Sequence, residues 1–573
     1  MIALIVSMSS FAADAPTGDA RLPDATLQQR SFVRDVLQNE IARSQALSLP
    51  EAPPLYHLRY RLHHLKSVSA EASFGSLVST SVLPSASLGV EVRVGTPAFD
   101  NTNFGGWQNG TDRTDMPDTF SASALQTAAW RLTDGAYKQA VEQFGRKKAQ
   151  FSPPPEYPGD FVMRDAVEVD RGSAPTLDDP DGLVTLTTRL SGVLRNEPVL
   201  LIGEVHLGHE AGSSTVIDSD GTHVRLPVQE TTLRAVAATR ARDGGLVTDQ
   251  LLITVRDPGA LPSEAELVAA VEALRDRMVA TAAAPALDDE YVGPVIFEGN
   301  AARALFRYVL IPQLEGTPPP IPFDSFFGDL GSDASRARLA RRVLPPGFAV
   351  SADPTSRPDH PGSFTHDAEG TPAVAVDLVV DGIVRDVLRS RVPTKDLPDS
   401  NGHARGRLGS RLQGRVAGLE VTAPRNRSPR ALRKRALKLA RAYGHDYVVV
   451  VRRIQEPAVV RLATGDWFDE DGATALPPPV AITRVYADGR EERVRGVSFA
   501  SIQRWALRDI VDTGPSTEGS FLAPFGGSFS SLGPTEGLPS WIAAPDVLVG
   551  EVELIPQRGD PRDVPLLPAP ALD

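Results

Sequence analysis

Residues 291–316 read YVGPVIFEGNAARALFRYVLIPQLEG. Val295-Ile296-Phe297 is a short apolar strand, and a small-residue turn follows it. Residues 301–311 read as a helix that stops at Pro312, whose ring nitrogen cannot donate to the helical ladder. Before this stretch, strands and long helices share the chain. After it, the text changes to strands joined by long loops. The pattern predicts an α+β protein of two domains with a boundary near residue 290.

Working outward, residues 16–50 hold a helix marked by Leu27, Phe32, Val33, Val36, Leu37 and Ile41. Residues 55–95 read as paired strands, since Tyr56, Leu58, Tyr60 and Leu62 alternate with polar partners. Residues 122–149 form a helix rich in good formers, weakened at Gly135. Strands are expected at 183–190, 198–207, 213–218 and 222–228, the last two joined at Asp218-Ser219-Asp220-Gly221. Ser263 caps a helix from 264 to about 282. Downstream, strand pairs surround Asp381-Gly382 and Asp488-Gly489, and a basic helix spans 429–443. A strand follows at 446–453, and the proline-rich tail is extended.

The formal net charge of −13 argues against a general nucleic-acid binder, which needs a basic surface to displace counterions. The chain has no cysteine, which excludes disulfides, thiolate metal ligands and a cysteine nucleophile. Residues 1–21 read as a signal peptide and N-terminal extension, with Ser10-Phe11-Ala12 and Ala13-Asp14-Ala15 as cleavage sites. The expected location is therefore exported, periplasmic or extracellular, with the cytoplasm as the alternative. No stretch is long and apolar enough to span a bilayer as a helix. The expected division is an α+β domain over 22–290 and a β-rich domain over 291–573.

Four segments, in order, resemble the TldD/PmbA family, a metallopeptidase-related group also called modulators of DNA gyrase. The first is Val92-Arg93-Val94-Gly95 with 99–104, FDNTNF. The second is 291–316. The third joins 366–372 (HDAEGTP), Asp381-Gly382-Ile383-Val384 and Ser400-Asn401-Gly402-His403. The fourth joins 485–489 (VYADG), Val494-Arg495-Gly496 and Ala543-Ala544-Pro545. The resemblance implies a two-domain fold with mixed and antiparallel sheets. Catalytic members carry H-E-x-x-x-H on the helix of the second segment and a cysteine further on. Such a site holds Zn²⁺ on imidazoles, or a thiolate, while the glutamate takes a proton from bound water. The ungapped match sets Arg307 at the first histidine, Tyr308 at the glutamate and Pro312 at the second histidine. A guanidinium repels a metal, a phenol is a poor base and proline offers no ligand atom.

The resemblance therefore implies a member without catalytic residues, zinc or another cofactor. The implied role is a peptide- or partner-binding subunit. It would act as a homo-oligomer or beside a TldD-type subunit, gripping extended peptide by strand pairing. Glu298, Asn300, His366, Glu369, Asn401 and His403 are the candidate cleft residues. One alternative is an active peptidase or other hydrolase with a relocated metal, hinted at by His360, His366 and His403. Another is a structural subunit of an envelope assembly, docked by the basic helix. His206 and His209 fall on opposite faces of a strand, as do His63 and His64, so neither pair is a ligand set. The cluster from Arg425 to Arg441 reads first as a solvated helix face, second as a dock for an acidic partner. Gly526-Gly527-Ser528 shows no partner base for a serine hydrolase.

Overall fold

The computed structural model describes residues 25–105, 110–195, 199–321, 339–464, 476–500, 502–523 and 537–563. The expected export segment, Gly526-Gly527-Ser528 and the tail beyond residue 563 lie outside the described residues.

Strands β1 (Leu55–Ser73), β2 (Ser76–Thr96), β3 (Phe99–Asp100), β4 (Thr111–Met116), β5 (Glu168–Asp170), β6 (Ile202–Asp218), β7 (His223–Arg240) and β8 (Leu246–Val255) form the first sheet. Its order is β3-β2-β1-β6-β7-β5, with β4 beside β2 and β8 beside β7. Helices α1 (Ala25–Ser44), α2 (Ala122–Gln150), α3 (Asp181–Gly192) and α4 (Glu264–Ala283) pack on it. In α2, Gly135 costs about 1 kcal/mol against alanine. Burying Leu125, Leu132 and Tyr137 contributes about 1.5–3 kcal/mol each, so the helix persists. Ser263 completes a capping box with Glu266 at the start of α4, as its sequence implies.

Two expectations for this sheet are corrected. Residues 183–190 lie in helix α3 rather than in a strand. Their β-branched residues favour a strand, but Leu183, Thr187 and Leu190 recur at helical spacing and are buried together. The two strands expected at 198–207 and 213–218 are one continuous strand, β6. Gly212 allows this, because a Cβ there would meet the His64 carbonyl oxygen of β1 at 2.1 Å. Strand β8 was not expected from the sequence; it is held by antiparallel pairing from Thr231↔Val255 to Arg240↔Leu246.

The second sheet contains β9 (Tyr291–Phe297), β10 (Ala349–Ala352), β11 (Val376–Val380), β12 (Ile383–Val384), β15 (Gly418–Thr422), β16 (Tyr447–Ile454), β17 (Pro479–Tyr486), β18 (Glu491–Val494), β19 (Val497–Phe499), β20 (Ile510–Ala523) and β21 (Leu538–Pro556). Its order is β12-β11-β10-β15-β21-β9-β16-β17-β18, with β19 and β20 beside β21. The pair β13 (Ala404–Arg405) and β14 (Gln413–Gly414) stands apart. After β9, Gly299 takes a φ of 55° and donates its N–H to Asp546, opening helix α5 (Asn300–Leu305). The helix does not stop at Pro312. It widens into a π turn at Phe306–Leu310 and continues as α6 (Ile311–Leu314). Ile311 N–H reaches back to the Phe306 carbonyl, and the missing donor of Pro312 falls where the bonding register changes. Helix α7 (Pro429–Ala440), capped by Ser428, lies over β9 and β16.

Even-numbered residues of β1, including Leu58, Tyr60, Leu62 and Val68, face the helices. The odd-numbered residues are not turned to water. Arg59 is completely buried and pairs with Glu91 at 2.7 Å, with Glu369 at 3.6 Å from the same nitrogen. Arg61 donates to the Arg407 carbonyl. Nearby, Phe161 lies between the guanidinium groups of Arg93 and Arg391, 3.8 and 4.1 Å from its ring centre. Arg391 donates to Asp220 at 2.6 Å, and Asp220 also meets His57 Nδ1 at 3.3 Å. This buried polar layer joins the first sheet to residues 366–415.

A second joint lies at the outer strands. His360 Nε2 is 3.2 Å from Thr254 Oγ1 on β8 and 3.1 Å from Ser520 Oγ on β20. Gly362 N–H donates to Nδ1, which fixes the neutral imidazole with its proton on Nε2. Burial, then the positive Arg405, Arg256 and Arg357, push its pKa down to about 4.

Two outcomes are expected. Asp220→Ala leaves Arg391 buried without its close carboxylate and should cost about 3 kcal/mol in urea unfolding; a change within error contradicts the account. For His360, the folded pKa is below the unfolded value of roughly 6.5. Its stabilising contribution is thus complete above pH 6.5 and lost as pH falls toward 4. His360→Gln should remove on the order of 2 kcal/mol from that acid-side loss, read as a flatter plot of unfolding midpoint against pH. Parallel plots for the two proteins would show that His360 is not the titrating group.

Candidate functional site

Helix α5, its π turn and α6 place Arg307, Tyr308, Ile311 and Pro312 along one wall of a cavity of about 260 Å³. Strand β8 supplies Gln250 and Leu252, and β7 supplies Arg234. The end of β20 supplies Phe521, Leu522 and Ala523. Helix α8 (Pro457–Thr464) and the residue before it add Glu456, Pro457, Ala458 and Arg461. The cavity therefore lies between the two sheets, beside the middle of β8 and the end of β20. Among the described residues, β8 pairs only with β7 and β20 only with β21.

Arg307 is fixed from several sides. Its Nη1 and Nη2 donate to the two oxygens of Glu456 at 2.9 and 3.4 Å. Nη2 also donates to the Leu522 carbonyl at 3.2 Å. The guanidinium carbon is 4.8 Å from the Tyr308 ring centre and 4.9 Å from that of Phe521. Burial disfavours the cation, but Glu456 beside it holds the pKa of Arg307 above its ordinary value. Tyr308 donates to Glu456 at 3.3 Å, and burial pushes its phenol up, so it remains a donor. Arg415 donates to Glu315 at 2.6 Å.

Arg234 differs from these. It is 3% exposed, and its recorded hydrogen bond runs from Nε to Gln250 Oε1 at 2.7 Å. It has no ion pair with any described carboxylate. Burial, with Arg307 and Arg461 nearby, pushes its pKa down to about 10 despite the opposing pull of Glu456. Among the described residues, four arginines and two glutamates line the cavity. No histidine lines it, and the chain has no cysteine. Among the described residues, no three His, Asp or Glu side chains are close enough together to hold a metal ion. This lining is a poor fit to zinc, which takes imidazole, thiolate and carboxylate donors in open tetrahedral sets.

Of the residues singled out in the sequence, Arg307, Tyr308 and Pro312 meet in this cavity. The six candidate cleft residues are not part of its lining. Glu298 sits on the α7 side, paired with Arg433 and Arg452, and Asn300 opens helix α5. Glu369 accepts the Arg391 N–H inside the buried polar layer. Asn401 accepts from Arg389 N–H and donates to the Val387 carbonyl, clamping a loop. His403 is fully buried with Nδ1 2.9 Å from the Asn401 carbonyl; its own carbonyl receives Arg415 N–H. His366 is half-buried beside Thr365, and its strand bridge is to Pro372. His360, His366 and His403 do not converge. His206 and His209 remain separate within β6, and His209 meets Thr231. The basic residues Arg430, Lys434, Arg435, Lys438 and Arg441 form the exposed face of α7 and its end. Sequence reasoning missed Arg234, Glu456 and Arg461. Arg234 lies within a run of small and apolar residues buried on both faces of β7, and its charge in that run is the available signal.

Residues 290–467 match the family model described as the PmbA/TldA metallopeptidase C-terminal domain. No curated protein sequence matches the chain. Among solved structures, the fold is similar to a proposed modulator of a DNA gyrase from Thermotoga maritima, at 13% identity and a TM-score of 0.57. That match covers 91% of this chain and 100% of the other. TldE from Thermococcus kodakarensis is similar at 12% identity and a TM-score of 0.54, covering 91% and 99%. A proposed modulator of DNA gyrase from Bacteroides thetaiotaomicron gives 10% and 0.52, covering 91% and 98%. No helix among the described residues is long and apolar enough to cross a membrane. The matched domain over residues 290–467 and the mixed α+β architecture support the resemblance of this chain to the TldD/PmbA family.

Proposed function

We propose that this protein binds extended peptide without the zinc-dependent hydrolysis of catalytic relatives. The observation that carries this reading is the Arg307–Glu456 pair. It fills the helix position where the family resemblance expects a metal ligand, with aromatic rings on both sides. A fixed cation there opposes a divalent ion by several kcal/mol at short range in a low-dielectric site. Glu456 is engaged as the counter-ion of Arg307.

Two outer strands frame the cavity, which suits main-chain hydrogen bonding to an added strand. Leu252, Ile311 and Phe521 supply apolar contacts for alternate side chains. In this reading the protein acts as a homo-oligomer or beside a TldD-type subunit, and holds the peptide rather than cutting it.

The purified protein should contain far less than one zinc per chain by metal analysis and should leave unfolded peptides intact. Chelator should not change the result. Stoichiometric zinc together with chelator-sensitive cleavage would overturn the proposal.

A further inference from the structure

Buried arginines normally meet a carboxylate, a carbonyl or a ring, because a lone buried cation is costly. Within the cavity, Arg307 has Glu456 and Arg415 has Glu315. Among the described residues, Arg234 has the neutral Gln250, through one of its three nitrogens, and no carboxylate ion pair, although it is 97% removed from solvent. Its two Nη groups are the paired donors that match a carboxylate fork.

We propose that this cavity receives a carboxylate of the bound peptide, with Arg234 as its principal donor. The inference rests on the peptide-binding reading above and adds the chemistry of what is recognised. The volume of about 260 Å³ holds one residue's side chain or terminus and is small for a nucleotide. Leu252, Ile311, Pro312 and Phe521 give the walls an apolar character that suits the aliphatic stem of an acidic residue or a C-terminal side chain. The outer strand β8 and the end of β20 beside the cavity provide polar backbone along which the rest of the chain can run. The overall charge of −13 disfavours a polyanion as the ligand. Gln250, by holding Nε, leaves the fork of Arg234 oriented as a unit, so Gln250 is a positioning residue.

The test uses the full chain and three acetylated pentapeptides of alternating valine and alanine. One has a free C-terminus, one is the C-terminal amide, and one is the amide with a central glutamate. Binding is measured by calorimetry at two salt concentrations. The proposal expects the free acid, the glutamate peptide or both to bind about tenfold or more tightly than the neutral amide. Which of the two gains identifies the carboxylate as terminal or side-chain. That gain should shrink at higher salt, vanish in Arg234→Gln and return in part in Arg234→Lys. The wild-type comparison stands whether or not the variants fold. If all three peptides bind alike, or the gain survives Arg234→Gln, the carboxylate inference fails while peptide binding stands. If no peptide binds, the peptide-binding reading itself fails.

Discussion

The site is organised by one interaction, the guanidinium of Arg307 held on the carboxylate of Glu456. Two hydrogen bonds, a backbone carbonyl and two aromatic faces fix the cation in a largely buried wall. Such a pair is worth little where water can replace either partner, but its breakage in a buried wall leaves an uncompensated charge. The helix that carries Arg307, the turn that carries Glu456 and the end of β20 are therefore locked to one another. The cavity's shape follows from that lock, and so does its sign. With Arg307 and Arg415 held by carboxylates, Arg234, whose described partner is the neutral Gln250, offers its charge to a ligand.

The π turn is part of the same constraint. Residues 306–310 present Arg307 and Tyr308 to Glu456 from a helix that must also accommodate Pro312. A regular α-helix would set the proline ring against the carbonyl of Tyr308. The wider turn relieves that conflict while the helix continues to Leu314, whose side chain is wholly buried. The departure from regular geometry thus coincides with the residues that line the cavity, where such turns often occur.

Much of the fold was legible in the chain. The paired strands over 55–95, the Asp218–Gly221 turn and the Ser263 cap form as their residues imply, and the strand expected at Val295-Ile296-Phe297 forms and extends back to Tyr291. Local sequence failed where tertiary contacts decide. Residues 183–190 have strand-like composition but are drawn into a helix by burial of one face. Strands β20 and β21 contain Gly514, Pro515 and Pro545, which read as breakers; long antiparallel pairing with bulges holds them extended. The polar face of β1 looks solvated in the sequence, yet Arg59 is buried there because Glu91 and Glu369 arrive from distant segments. For the site, spacing on a single helix was enough to bring Arg307, Tyr308 and Pro312 together. Arg234 lies on another sheet and Glu456 lies 149 residues beyond Arg307, so no local pattern could join them.

A double-mutant cycle on Arg307→Met and Glu456→Gln, read as urea unfolding free energy, addresses the central pair directly. The structure predicts that each single change is destabilising and that the double change recovers part of the loss, with a coupling above about 1.5 kcal/mol. Additive effects, with coupling below about 0.5 kcal/mol, would contradict a fixed ion pair in that wall.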